Sequence, residues 1–157
     1  MKNWYLIKTK PRQEKKAKQN LENQGYVAFC PITKINNKLV ILFPSYLFVQ
    51  LNEKTQNFSP IYSTKGVSHF VKFGSNFAKV PMSVVEFIKT NQHITIRKIK
   101  NLNKFKPGDK VQISDGAFKN CVAIFKCYKP DERVILLMNL LGHDQSLSVK
   151  KESIIAL

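Results

Sequence analysis

The sequence predicts an α+β chain in two parts, and three stretches carry that reading. Residues 43 to 51, FPSYLFVQL, are apolar on both sides of a strand's alternation, with Tyr46 and Phe48 on one face and Leu47, Val49 and Leu51 on the other. Between a first strand at 4–7 and a second at 26–35, Pro11 stands at a first helical position and Gly25 at a C-terminal cap. Farther on, KPGDKVQISDGAF (106–118) sets Pro107-Gly108 and Asp115-Gly116 turns around alternating Val111 and Ile113, the opening of a small β-barrel.

The helix predicted between Pro11 and Gly25 is thin. Its clear apolar positions are Ala17 and Leu21, four apart, so it rests on the sheet by a narrow stripe. Arg12, Lys16 and Asn20 share another face at the same spacing, with Lys10 at the entrance and Gln24 at the end. Such a face can hold phosphates and reach bases, or simply be solvated. An Asn-Asn turn at 36 and 37 leads towards the two-faced strand. Its second apolar face wants a cover: its own domain, another domain or a partner.

A polar loop then carries Asn57, Phe58, Ser59 and Pro60. Thr64, Lys65 and Gly66 form a turn into an alternating strand at 67–73 that stops at Gly74. Pro81 opens a short helix whose Val84, Phe87 and Ile88 make one apolar face. Residues 91–104 are basic and without clear period, which reads as a linker.

The last part carries two patterns. Short runs at 121–126, 134–139, 147–150 and 153–156 supply enough strands for a barrel. Phe118, Val122, Phe125 and Lys129 also fall at helical spacing, and Val134, Leu137, Met138 and Leu141 form an i, i+3, i+4, i+7 stripe, with Pro130-Asp131 as the break between two helices. On pattern alone the barrel is favoured.

Composition narrows the function. The 157 residues are 43% apolar, without an apolar run near the roughly 18 residues of a membrane span, so a soluble, cytoplasmic chain is expected. Cys30, Cys121 and Cys127 lack CxxC spacing, and His69, His93 and His143 are scattered, so neither a metal nor a cofactor is expected. No P-loop, GxSxG elbow or GxGxxG turn follows a strand, and the chain reads as no enzyme. Net charge is +16, and residues 1–100 hold 17 Lys or Arg against 4 Asp or Glu, while 101–157 hold 9 against 6. A basic first part suits a polyanion such as nucleic acid.

WYLIKTK near the start, FPSYLFVQL, STKGVSHFVKFG (63–74), Val80-Pro81 and the PGDKVxxxxGAF of a KOW motif together resemble the NusG family of transcription elongation factors. GVSHFVKFG, the LLxNLL-like segment and LSVKKES resemble its specialised RfaH branch. The resemblance implies a NusG-type α/β sandwich domain at 1–92, a linker at 93–105 and a KOW domain at 106–157. It implies binding to RNA polymerase through Phe43, Pro44, Tyr46 and Phe48, and to a non-template strand DNA element through Lys10, Arg12, Lys16, Asn20, Gln24, Thr64 and Lys65.

In the RfaH branch the KOW domain is an α-helical hairpin that masks the polymerase-binding face. Released, it becomes a β-barrel that contacts a small-subunit ribosomal protein. The resemblance therefore implies interdomain masking by Phe118, Val122, Phe125, Val134, Leu137, Met138 and Leu141, in a monomer without a membrane role, and it tips the expectation for the full chain to the hairpin. A general NusG-type factor with a constitutive barrel, or an RNA-binding, ribosome-associated KOW protein, are the alternatives. Departures are NFSP (57–60) where the family has HTTT, Asn120 for the KOW glycine, and no acidic residue before Phe43 to pair with Arg133.

Overall fold

The computed structural model describes residues 2–35, 37–91, 110–112, 123–125, 127, 129–141 and 148–150. Along the chain run β1 (Lys2–Thr9), α1 (Glu14–Asn23), β2 (Val27–Phe29), β3 (Ile32–Ile35), β4 (Lys38–Ile41) and β5 (Tyr46–Asn52). There follow α2 (Ser59–Tyr62), β6 (Val67–Phe70), β7 (Lys72–Phe73), β8 (Asn76–Phe77), β9 (Lys79–Val80) and α3 (Met82–Asn91). Then come β10 (Lys110–Gln112), α4 (Pro130–Leu140) and β11 (Ser148–Lys150). Two compact units result: Met1–Pro31 with Pro44–Val85, and Ile32–Phe43 with Glu86–Leu157.

The first unit is built on an antiparallel sheet in the order β2-β5-β1-β6, with β9 also pairing β1. Strand β1 is its spine, paired with β5 from Lys2↔Asn52 to Lys8↔Tyr46. One face packs on α1 through Ala17 and Leu21, which close over Tyr5, Ile7, Leu47, Val49, Leu51, Ile61, Val67 and Phe70. The stripe four residues apart is thus the helix's buried edge, with Glu14 one turn earlier also buried. Truncating Leu21 to Ala would cost on the order of 2–5 kcal/mol.

Helix α1 stops where the sequence predicts. Gly25 takes φ 90°, its N–H donates to the Glu22 carbonyl, and the Tyr26 N–H reaches back to the Leu21 carbonyl, so two orphan carbonyls are satisfied. Its start differs from expectation. Pro11 and Arg12 form a tight turn, with Arg12 at φ 61° and the Gln13 N–H on the Lys10 carbonyl, and the helix begins at Glu14. Arg12 therefore lies ahead of the helix rather than on its face.

Three predicted strands are shorter or broken. The run at 26–35 divides into β2 and β3 around Pro31, which has no N–H for a ladder, and β3 leaves the main sheet to pair with β4. Asn37, at φ 63°, follows β3 into that hairpin, in which Ile35 pairs with Lys38. The two-faced strand starts at Tyr46, not Phe43, because Pro44 cannot donate and Ser45 turns to φ 70°. The run at 67–73 breaks at Val71, whose N–H donates to the Leu6 carbonyl, and β7 pairs instead with β8 across Gly74 at φ 66°. The polar loop at 57–60 proves to lead into α2, and Phe58 joins Tyr5, Phe70 and Phe77 in an aromatic cluster with centroids 4.9–5.3 Å from Phe58.

In the second unit, residues 123–125 are helical and α4 covers Pro130–Leu140, so helix replaces the strand readings at 123–125 and 134–139. The helical stripe is also rotated from expectation. Arg133, Leu136 and Leu137 are buried, whereas Val134, Met138 and Leu141 are only half-buried. Phe125 is fully buried and its ring lies 6.1 Å from that of Phe87 on α3. Strand β10 pairs antiparallel with β11, Val111 opposite Val149. Phe118, Val122, the 93–105 linker and most of the 106–118 stretch lie outside the described residues.

Candidate functional site

Two surfaces of the first unit gather the residues singled out in the sequence. The first is the sheet face opposite α1. Register places Leu6 beside Phe48, Lys8 beside Tyr46, Phe29 on the other side of Phe48, and Val80 beside Trp4. Paired residues share a face, so these side chains form one layer.

The Phe29 and Phe48 rings stack with centroids 5.9 Å apart, and Trp4 meets Phe29 edge-on at 6.5 Å. Lys8 Nζ sits 5.8 Å from the Tyr46 ring centroid, within cation–π reach. Phe48 is fully buried and Tyr46 half-buried. Pro44 is exposed in the bend ahead of the strand, and the Ser45 carbonyl there accepts the Thr9 N–H at 2.8 Å. Phe43 is fully buried, belongs to the second unit, and lies in the bend rather than on the strand.

The second surface joins α1, the end of β1 and the turn at 63–66. Asn20 Nδ2 donates to the Lys65 carbonyl at 3.0 Å, and Gln24 Nε2 donates to the Asn20 carbonyl at 3.1 Å and to Thr64 Oγ1 at 2.8 Å. Thr64, itself buried, donates a hydrogen bond from its hydroxyl to the Pro60 carbonyl at 2.9 Å. The Lys10 N–H donates to the Gly66 carbonyl at 2.9 Å. Gly66 has φ 98° and presses on α1 so closely that a Cβ there would lie 2.9 Å from the Ala17 nitrogen. Lys10, Arg12, Lys16 and Lys65 are all exposed around this junction. Pattern along α1 singled out Lys10, Arg12, Lys16, Asn20 and Gln24, and the family resemblance added Thr64 and Lys65. Neither foresaw how far Asn20, Gln24 and Thr64 are committed to one another.

In the second unit sequence reasoning missed the role of Arg133. Its Nε donates to the Leu42 carbonyl at 2.7 Å and its Nη1 to the Cys127 carbonyl at 2.9 Å, with the side chain buried. Burial lowers its pKa from the ordinary arginine value, partly offset by the neighbouring Cys127. Carbonyls thus receive the guanidinium where the sequence offered no acidic partner. The available signal was a lone Arg at i−3 and i−4 from Leu136 and Leu137. Cys127 is raised to about 11 chiefly by burial, and Cys30 likewise to about 11, by burial and then by nearby Glu14. Among the described residues no group of three His, Cys, Asp or Glu could hold a metal ion, and no helix is long and apolar enough to cross a membrane.

An antiparallel sheet with one helix-packed face, a second aromatic face and a cationic junction makes up a mixed α/β unit. The family model described as transcription termination factor NusG matches residues 2–90, and the chain belongs to the NusG family, as a transcription termination/antitermination factor of that type. It is 26% identical over 161 residues to the transcription termination/antitermination protein NusG of Chlamydia trachomatis serovar D, covering 90% of this chain and 87% of the relative. Against the protein of the same name from Thermus thermophilus the identity is 25% over 169 residues, covering 90% and 91%. A solved structure, "Domain interaction in Thermotoga maritima NusG", is similar at a TM-score of 0.49 and 26% identity, over 74% of each chain.

Proposed function

We propose that this chain is an RfaH-like, operon-specific elongation and antitermination factor that holds RNA polymerase in a processive state. The observation that carries the reading is helix α4 at Pro130–Leu140, in a stretch whose sequence also fits barrel strands. A segment with two satisfying patterns is the raw material of a fold switch, which requires two packings of one sequence within a few kcal/mol of each other. At rest the helical form, through Phe118, Val122, Phe125, Val134, Leu137, Met138 and Leu141, masks the polymerase site. Released, residues 106–157 form a KOW barrel that contacts a small-subunit ribosomal protein.

Polymerase binding uses the aromatic face of the sheet, with Tyr46 and Phe48 as anchors and Phe43 and Pro44 beside them. Burial of each large side chain contributes roughly 1.5–3 kcal/mol. Recruitment uses the cationic junction at α1, which takes a non-template DNA strand. Neither step needs a catalytic group or cofactor, and the factor acts as a monomer.

The pairing of β10 with β11 favours a second reading, a general NusG-type factor whose last domain is always a barrel. Circular dichroism separates the two. A protease site placed within 93–105 of the full chain is cut, and the spectrum is compared before and after. Loss of helix and gain of strand on cutting supports the switch, whereas an unchanged spectrum leaves the general factor.

A further inference from the structure

We infer that Asn20 and Gln24 are positioning residues rather than base readers, and that the α1 junction grips a nucleic-acid strand through its phosphates, by Lys10, Arg12, Lys16 and Lys65. This rests on the proposal that the junction binds DNA. Reading an adenine with Asn or Gln needs the side-chain amide to donate and accept together. Gln24 has two N–H donors, and both are spent within the protein, on the Asn20 carbonyl and on Thr64 Oγ1. Asn20 spends one of its two donors on the Lys65 carbonyl, which holds its amide against the turn. The Thr64 hydroxyl proton is committed to the Pro60 carbonyl, and its oxygen already accepts from Gln24.

What those bonds accomplish is structural. They fasten the turn at 63–66 to α1, and the Lys10 N–H fastens the end of β1 to the same turn through the Gly66 carbonyl. Three segments distant in sequence become one rigid junction, further fixed by the close approach of Gly66 to Ala17. Around it stand the four exposed cations, one from each of four places: the end of β1, the Pro11-Arg12 turn, α1 and the 63–66 turn. Cations gathered around one junction suit a phosphate backbone, which carries no sequence information. Sequence preference at this surface is therefore weak.

The test uses the full chain, free and with a randomised pool of single-stranded DNA. Asn20→Ala places a good helix former at a half-buried position of α1 and Gln24→Ala at an exposed one just past its end, so both variants should fold. In the free protein each should speed hydrogen exchange of the Lys10 and Val67 amides, which donate into the turn. On the pool each should weaken binding to all sequences by a common factor and leave the selected sequence preference unchanged. Lys65→Ala should leave that exchange unchanged and reduce the slope of log K against log salt by about 0.7, one phosphate contact. A tenfold change in relative sequence preference with either amide variant would make it a base reader and overturn the inference. Unchanged exchange would remove the positioning role. A wild-type chain that binds no member of the pool refutes the DNA reading and the phosphate role with it, while the exchange result still decides whether the amides hold the turn.

Discussion

Arg133 binds Leu42 across 91 positions of sequence, its Nε donating to the Leu42 carbonyl at 2.7 Å. With the second bond to the Cys127 carbonyl, one buried side chain ties α4 to the end of the β3–β4 hairpin inside the second unit. Carbonyl dipoles stabilise the cation without the mutual desolvation of a carboxylate, at the expense of leaving its charge formally unpaired among the described residues.

Replacing Arg133 by Ala should cost about 3 kcal/mol, because two charge-assisted bonds are lost and two carbonyls are left without their donor. Hydrogen exchange measures it locally. Amides of 130–140 and 38–43 should exchange faster together, while those of β1 and β5 keep their protection. Uniform protection across the chain would mean that the guanidinium holds nothing in place.

Gly66→Ala and Gly25→Ala form a matched pair. Both residues have positive φ, so both variants suffer about 1 kcal/mol of backbone strain. Only at Gly66 would the new Cβ meet α1, 2.9 Å from the Ala17 nitrogen; at Gly25 there is nothing within 4 Å. Thermal melting should therefore fall clearly further for Gly66→Ala, and equal losses would show that the junction can open at no cost.

Thiol titration gives a prediction with a sign. Burial raises Cys127 from 9.0 to about 11, so the folded chain holds that proton where an unfolded chain releases it. The associated stability is fully present below about pH 9 and is lost as pH rises through about 11. The melting difference between wild type and Cys127→Ala should shrink across that window. In a Cys121→Ser background, Cys30 and Cys127 should both react slowly with a thiol reagent at neutral pH, since little thiolate exists there.

Much of the first unit was legible because its signals are local. Ala17 and Leu21 four apart mark the buried edge of α1, Gly25 marks its end, and the alternation from Tyr46 to Leu51 gives both faces of β5. Pro11 misled because proline suits a turn as well as a first helical position, and the turn won. The break at Pro31 and the departure of β3 depend on which strand offers a partner, which no short window contains. In α4 the apolar run is nearly continuous, so periodicity cannot fix which side faces inward. Arg133 settles it by seeking carbonyls, one of them at residue 42. For the same reason the α1 junction was legible as a set of residues but not as a division of labour, which only the hydrogen bonds of Asn20, Gln24 and Thr64 reveal.

The most direct measurement is equilibrium binding to an RNA polymerase elongation complex of the full chain cut at a protease site within 93–105, so that masking does not limit it, wild type against a Tyr46→Ala/Phe48→Leu variant whose melting curve shows it folded. The aromatic face of β5, as the polymerase site, predicts at least a tenfold loss of affinity, about 1.4 kcal/mol. Wild-type affinity in the folded double variant would contradict it and place the polymerase contact elsewhere on the chain.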